Sequence, residues 1–140
     1  MTRKWLLPIL VFIGIFVFAS QGLKGGPEIA IADAAALLKG EPRPVVIDLR
    51  ERADYEQGHL PGAISVPFAD FKNRLQSLNL PKIDAVILYG NGGGDDERVR
   101  EATKHLYQNG YQGGLTLRGG IDAWRAAGYA IAKPPAAPKP

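Results

Sequence analysis

The sequence predicts an α/β domain with a mostly parallel central sheet covered by helices on both faces, preceded by an N-terminal hydrophobic helix. Three observations carry this. Short apolar, β-branched runs such as Val45-Val46-Ile47-Asp48-Leu49 and Val86-Ile87-Leu88-Tyr89 have the composition of strands buried on both faces. Segments with apolar residues at helical spacing separate them, and Gly or Pro punctuates nearly every junction. Strands alternating with helices give the parallel, doubly covered arrangement.

Taken in order, Gly25-Gly26-Pro27 is a hinge, and the weak alternation from Glu28 to Ala32 is expected to be a short strand. Asp33 is placed to cap a helix over 34–39, stopped by Gly40. Residues 45–49 form the first buried strand, 50–57 a short helix ending at Gly58, and 63–66 a strand closed by Pro67. Phe68, Phe71, Leu75 and Leu78 recur at helical spacing before Pro81 and are read as core. The run 84–89 is the clearest strand, and it leads into Gly90-Asn91-Gly92-Gly93-Gly94, which no regular element can hold. A helix follows with Val99, Ala102, Thr103, Leu106 and Tyr107 on one face and Gly110 as its stop. Leu115-Thr116-Leu117 is the last strand, Gly119-Gly120 a turn, and 121–127 a helix ended by Gly128. The domain is thus expected over 28–132, after a linker at 24–27 and before a Pro-rich tail at 133–140.

Residues 1–23 read as a targeting segment. Arg3 and Lys4 precede Trp5 to Ala19, a run without charge. As a helix that run spans roughly 22 Å, short of a hydrocarbon core of roughly 30 Å, whereas extension to Leu23 just reaches across. Val17-Phe18-Ala19 fits a signal-peptidase site with cleavage after Ala19, and the strongly apolar segment also suits an uncleaved signal anchor through 5–23. Either way the cations stay inside, so the expected location is the periplasm or the periplasmic side of a bacterial cytoplasmic membrane.

Composition removes several functions. The 140 residues hold 17 Lys and Arg against 14 Asp and Glu, without basic blocks, so no nucleic-acid partner is expected. The cysteine count is zero, which excludes disulfides, thiolate metal sites and thiol nucleophiles. Ser20, Ser65 and Ser77 are the only serines and none has a nucleophile-elbow context. The glycine-rich turn lacks the Lys-Ser/Thr ending of a phosphate-binding loop, and the i, i+4 pair Glu101 and His105 is too few ligands for a metal. No cofactor and no metal are expected.

Two segments together are specific. The run Val46 to Arg50, with Asp48 and Arg50, followed by Tyr55-Glu56-Gln57-Gly58-His59-Leu60-Pro61-Gly62-Ala63-Ile64, resembles the first signature of the rhodanese family. Leu117-Arg118-Gly119-Gly120-Ile121-Asp122-Ala123-Trp124, with Gly128-Tyr129 after it, resembles the second. Read from the residues alone, Asp48 and Arg50 leave a strand end in opposite charge states and can pair, or satisfy loop backbone. Gly58, Pro61 and Gly62 supply turn geometry, His59 is a hydrogen-bonded turn residue, and Trp124 is packing.

The resemblance implies that the strand ending at Tyr89 should be followed by a cysteine that carries sulfane sulfur, then by a loop of N–H donors and an arginine in the pattern Cys-x-x-Gly-x-Arg. Here Gly90 stands at the cysteine position, and 90–98 contains no Ser, Thr, Lys or His. Counting forward puts Asp95 at the arginine position; counting back from Gly110 puts Arg98 there, in a loop about three residues longer, and keeps Val99 and Leu106 facing the core. Asp95, Asp96 and Glu97 suit a helix N-terminus. The expectation is a rhodanese-like domain without sulfurtransferase activity, acting as a binding or regulatory module for a protein partner. Its candidate binding loop is Gly90, Asn91, Gly92, Gly93, Gly94, Asp95, Asp96 and Arg98. Two alternatives stand beside it: an enzyme or cation site using Asp95 and Asp96, and an accessory to a sulfur-handling system.

Overall fold

The computed structural model describes residues 27–93 and 96–134. The apolar segment 5–23, most of the linker and the end of the Pro-rich tail lie outside the described residues, as do Gly94 and Asp95.

Five parallel strands, β1 (Glu28–Ile29), β2 (Val45–Asp48), β3 (Ile64–Ser65), β4 (Val86–Tyr89) and β5 (Gly114–Leu117), form one sheet in the order β1-β5-β4-β2-β3. The helices are α1 (Ile31–Lys39), α2 (Arg52–Gln57), α3 (Phe68–Arg74), α4 (Asp96–Gln108) and α5 (Gly120–Ala126), with a 3₁₀ turn at Leu75–Leu78. The three central strands must be apolar on both sides because helices cover both faces, and alternation divides them between two cores. Val46, Ile87 and Leu117 pack with Ala34 and Ala35 of α1 and Ile121 and Trp124 of α5. Ile47, Val86 and Leu88 pack with Phe71 of α3 and Val99, Ala102 and Leu106 of α4. Each fully buried Val, Leu, Ile or Phe among them contributes roughly 1.5–3 kcal/mol. Both sheet edges are only two residues long, which leaves little backbone open to edge-on pairing.

The first helix departs from the cap read at Asp33. It begins at Ile31 with Ala30 as N-cap, no side chain caps it, and Ala34 N–H donates to the Ala30 carbonyl at 2.9 Å. Ile31 packs against the first core, and that apolar contact outweighs a cap worth about 1 kcal/mol. The strand expected over 28–32 is correspondingly cut to two residues. The helix over 68–78 splits at Arg74, where the chain tightens into the 3₁₀ turn and leaves through Asn79 in the left-handed region.

The end of β4 and the start of α5 interlock. Ile121 N–H donates to the Gly90 carbonyl and Asp122 N–H to the Asn91 carbonyl, both at 3.0 Å. At Gly120 (φ 60°) any Cβ would be driven into Gly90 and Asn91 backbone, and at Gly92 into the Gly119 carbonyl. Gly128, also at positive φ, faces open space. Gly128→Ala is therefore expected to lose about 1–2 kcal/mol from backbone conformation alone, and Gly120→Ala clearly more, because the β4–α5 junction must also open. Urea unfolding of the two variants checks this; equal losses would contradict the interlock.

Candidate functional site

From β2 the chain crosses to β3 on one side, while from β4 it crosses to β5 on the other. The carboxyl ends of the adjacent strands β2 and β4 thus flank a topological switch point, where an open parallel sheet leaves a crevice. A cleft of about 210 Å³ lies there. Gly90 and Asn91, just past the end of β4, and Arg50, just past the end of β2, line it together with the apolar Leu49, Phe68, Ala69 and Val99. Glu51 and Asp54 from the start of α2 and Arg98 from α4 complete it.

Beneath the cleft lies a buried polar network. Asp48 is fully buried, and in register with Tyr89 across the β2–β4 pair. Its Oδ1 accepts from Arg50 N–H at 2.9 Å and from Nε at 3.1 Å. Its Oδ2 accepts from Arg50 Nη2 at 2.8 Å and from the Tyr89 hydroxyl at 2.6 Å. The Tyr89 oxygen in turn accepts from Leu60 N–H at 3.1 Å, and Arg50 Nη2 also donates to the Gly58 carbonyl at 2.7 Å. A buried carboxylate is tolerable only when paired and hydrogen-bonded, and here both oxygens are served. Burial disfavours the Arg50 cation, but the hydrogen bonds and charge of Asp48 more than offset this and leave its pKa raised. Burial, then the Asp48 charge and hydrogen bond, also raise the Tyr89 phenol far above its usual range.

The network fixes the turn after α2. His59 lies in that turn, its ring stacked on Tyr55 at 3.8 Å, and its Nδ1–H donates to the Tyr55 carbonyl at 2.9 Å. Its backbone pairs with Ala132, donating at 2.9 Å and accepting at 2.8 Å, which straps the segment after α5 onto the turn. Trp124 is buried in the first core, packs against the tilted Tyr129 ring at 4.8 Å and donates Nε1–H to the Ala130 carbonyl at 2.9 Å. Gly58 and Gly62 take positive φ in the same turn, and the Pro61 carbonyl accepts from Arg43 at 3.1 Å.

Of the loop residues singled out from sequence, Gly90, Asn91 and Arg98 line the cleft, while Gly92 packs against Gly119 at the start of α5 and Gly93 faces open space. Arg98 lies with its guanidinium carbon 5.8 Å from the Phe68 ring centroid, and Val99 and Leu106 are buried. Asp96 Oδ2 accepts from Gly119 N–H at 3.3 Å, which ties the start of α4 to the turn before α5. Glu101 pairs with Lys72 at 3.2 Å and His105 contacts Asn109, and no metal-ligand cluster occurs among the described residues. Sequence reasoning missed Tyr89 as a member of the network and Glu51, Asp54 and Phe68 as cleft residues. Tyr89 and Asp48 each end a strand, but only the β2–β4 register brings the two together.

A family model for the rhodanese-like domain matches residues 31–127. The chain belongs to the rhodanese-like domain family. A sulfurtransferase of Allochromatium vinosum is 34% identical over 90 residues, covering 64% of this chain and 79% of the relative. A tRNA uridine(34) hydroxylase of Erwinia tasmaniensis is 29% identical over 100 residues, and the match spans only 27% of that longer protein. Among solved structures, the Alr3790 protein of Anabaena sp. aligns with a TM-score of 0.66 at 30% identity, covering 76% of this chain and 83% of that one. A thiosulfate sulfurtransferase of Pseudomonas aeruginosa aligns at 0.64 with 26% identity, covering 76% of this chain and 19% of that one. Within this rhodanese-like domain, Gly90 offers only backbone to the cleft, and no cysteine occurs anywhere in the chain.

Tyr89→Phe strips a donor from Asp48 and an acceptor from Leu60 N–H, so an unfolding free energy lower by about 1–3 kcal/mol is expected near neutral pH. A phenol with a raised folded pKa contributes stability that is intact below its unfolded value of 10.0 and is lost as pH climbs beyond it. Urea unfolding in alkaline buffer should therefore show a shallower decline for the variant; parallel declines would contradict the assignment.

Proposed function

We propose that this protein is a non-catalytic rhodanese-like domain whose cleft binds a partner protein instead of passing sulfur. The observation that carries the reading is the conjunction of a complete buried frame, Asp48, Arg50 and Tyr89, with Gly90 at the strand end and no cysteine in 140 residues. Accepting and releasing sulfane sulfur requires a thiolate, because no other side chain forms and breaks that bond reversibly. The same absence removes cysteine-phosphatase chemistry.

A second reading keeps a place in sulfur handling without covalent capture, and it is favoured by relatives named as sulfurtransferases. On the Gly90 argument such a role is limited to presenting or receiving sulfur species held by a partner. In either reading we place the domain on the outer side of a bacterial cytoplasmic membrane, anchored through 5–23 or released after Ala19, because Arg3 and Lys4 precede the apolar run.

Full-length protein is expected to transfer no sulfur from thiosulfate to cyanide; turnover above a heat-treated control would overturn the non-catalytic reading. Restoring the nucleophile alone is not enough. Asp95, Asp96 and Glu97 follow the loop, and nearby like charge disfavours a thiolate by about 1.4 kcal/mol for each unit of pKa. Gly90→Cys should give at most a trace of turnover, rising when 91–97 is shortened and its acids removed. Equal activity in the two variants, both shown folded by circular dichroism, would mean that the loop is still a working anion cradle. For location, a reporter enzyme active only outside the cytoplasm and fused after Pro140 should be active; a reporter that works only inside would contradict export.

A further inference from the structure

We infer that the amino-terminal edge of the sheet rests on the lipid surface of the membrane, with Ile83 in the headgroup layer and the cleft turned away from the bilayer. This rests on the anchored reading of 5–23 and adds to it which face of the domain meets lipid. All five strands are parallel, so their amino ends share one edge, and the cleft, at the carboxyl ends of β2 and β4, lies at the other. The chain enters β1 from the amino side, and Pro27 is already held there, its carbonyl accepting from Thr116 N–H at 2.9 Å. In the anchored reading the hydrocarbon ends near Leu23, four residues earlier, and four residues reach at most about 14 Å.

The register turns that reach into a depth. Glu28 is level with Thr116 and Thr116 with Leu88, so Pro27 is level with Ile87. Ile83 precedes Ile87 by four residues, up to roughly 13 Å toward the amino edge at about 3.3 Å per residue. The tether and the depth of the edge therefore match: even with the tether drawn straight, the loop before β4 comes within a few Å of the hydrocarbon, inside a headgroup layer roughly 5–8 Å deep. What that loop presents is apolar. Ile83 is 69% exposed, the more exposed of the two large apolar side chains that stand out among the described residues. One exposed isoleucine is ordinary on a protein surface, but this one cannot be withdrawn. The Lys82 carbonyl accepts from Gln112 N–H at 2.7 Å, the Lys82 amine donates to the Asn109 carbonyl at 3.2 Å, and Val86 N–H donates to the Gly113 carbonyl at 2.8 Å, so the loop is pinned on both sides of Ile83. On the segments entering β2 and β4, the exposed Lys39, Arg43 and Lys82 outnumber Glu41 and Asp84, a balance that favours anionic headgroups.

The chain has no cysteine, so a single introduced one is a unique label site. Gln112→Cys, exposed beside Lys82, marks the amino edge, and Asp54→Cys marks the cleft. Each carries a bimane label in full-length protein reconstituted into phosphatidylethanolamine–phosphatidylglycerol vesicles that contain a lipid with a nitroxide on its headgroup, a quencher that acts over contact distances. Quenching at position 112 should exceed that at position 54 by about threefold or more, because the two edges of the sheet are farther apart than the headgroup layer is deep. Ile83→Glu, a surface substitution checked for fold by circular dichroism, should cut the quenching at position 112 by about twofold or more. Equal quenching at the two positions, stronger quenching at position 54, or no effect of Ile83→Glu would each overturn the proposal. Flotation of the same vesicles reports on the anchor separately. Protein left behind would overturn the anchored reading and the proposal with it, whereas protein that floats with equal quenching at both positions would overturn the proposal alone.

Discussion

A carboxylate with no exposed surface cannot remain charged without partners, and the burial of Asp48 at the end of β2 sets the terms for everything around it. Arg50, two residues on, supplies its backbone N–H and its guanidinium, and Tyr89 supplies a hydroxyl from the neighbouring strand. Because Arg50 also holds the Gly58 carbonyl and Tyr89 also holds Leu60 N–H, the same network fixes the turn that follows α2. That turn in turn receives the strap at Ala132. Removing one member would leave a buried charge or donor unserved, which is why such a network specifies one arrangement of its strands and turns rather than several.

The frame does not depend on the chemistry carried at its rim. Asp48, Arg50 and Tyr89 are buried and close on one another, and the β4–α5 junction is held by backbone bonds to Gly90 and Asn91, which ask nothing of the side chain at position 90. A rhodanese-like domain can therefore lose a thiol at that strand end and keep the cleft. What remains in the cleft is an apolar trough with unpaired charges of both signs, a surface suited to recognition.

The strands were legible because a sheet covered on both faces demands uninterrupted apolar runs, and 45–48 and 86–89 supply them. The class and the family signatures were legible for the same reason, since turn glycines and the Asp48–Arg50 pair sit at fixed distances from those runs. Helix starts were less so: Asp33 offers a cap, but Ile31 finds a place against the core two residues earlier. Residues of the cleft were legible only in part. Gly90 and Arg98 follow from the local motif, whereas Glu51 and Asp54 come from the start of α2 and Phe68 from the start of α3, and nothing local in the sequence says that these two helix starts meet the loop after β4. The partnership of Tyr89 with Asp48 depends on the β2–β4 register, which alternation within one strand cannot give.

The frame around Asp48 is complete, and the chain has no cysteine to accept sulfur. Intact-mass spectrometry of the full-length protein, after incubation with thiosulfate or a persulfide donor and without reductant, shows whether any residue takes up sulfur. An unchanged mass is expected. A stable gain of one sulfur atom, mapping to any residue that lines the cleft, would contradict a cleft without a sulfur acceptor.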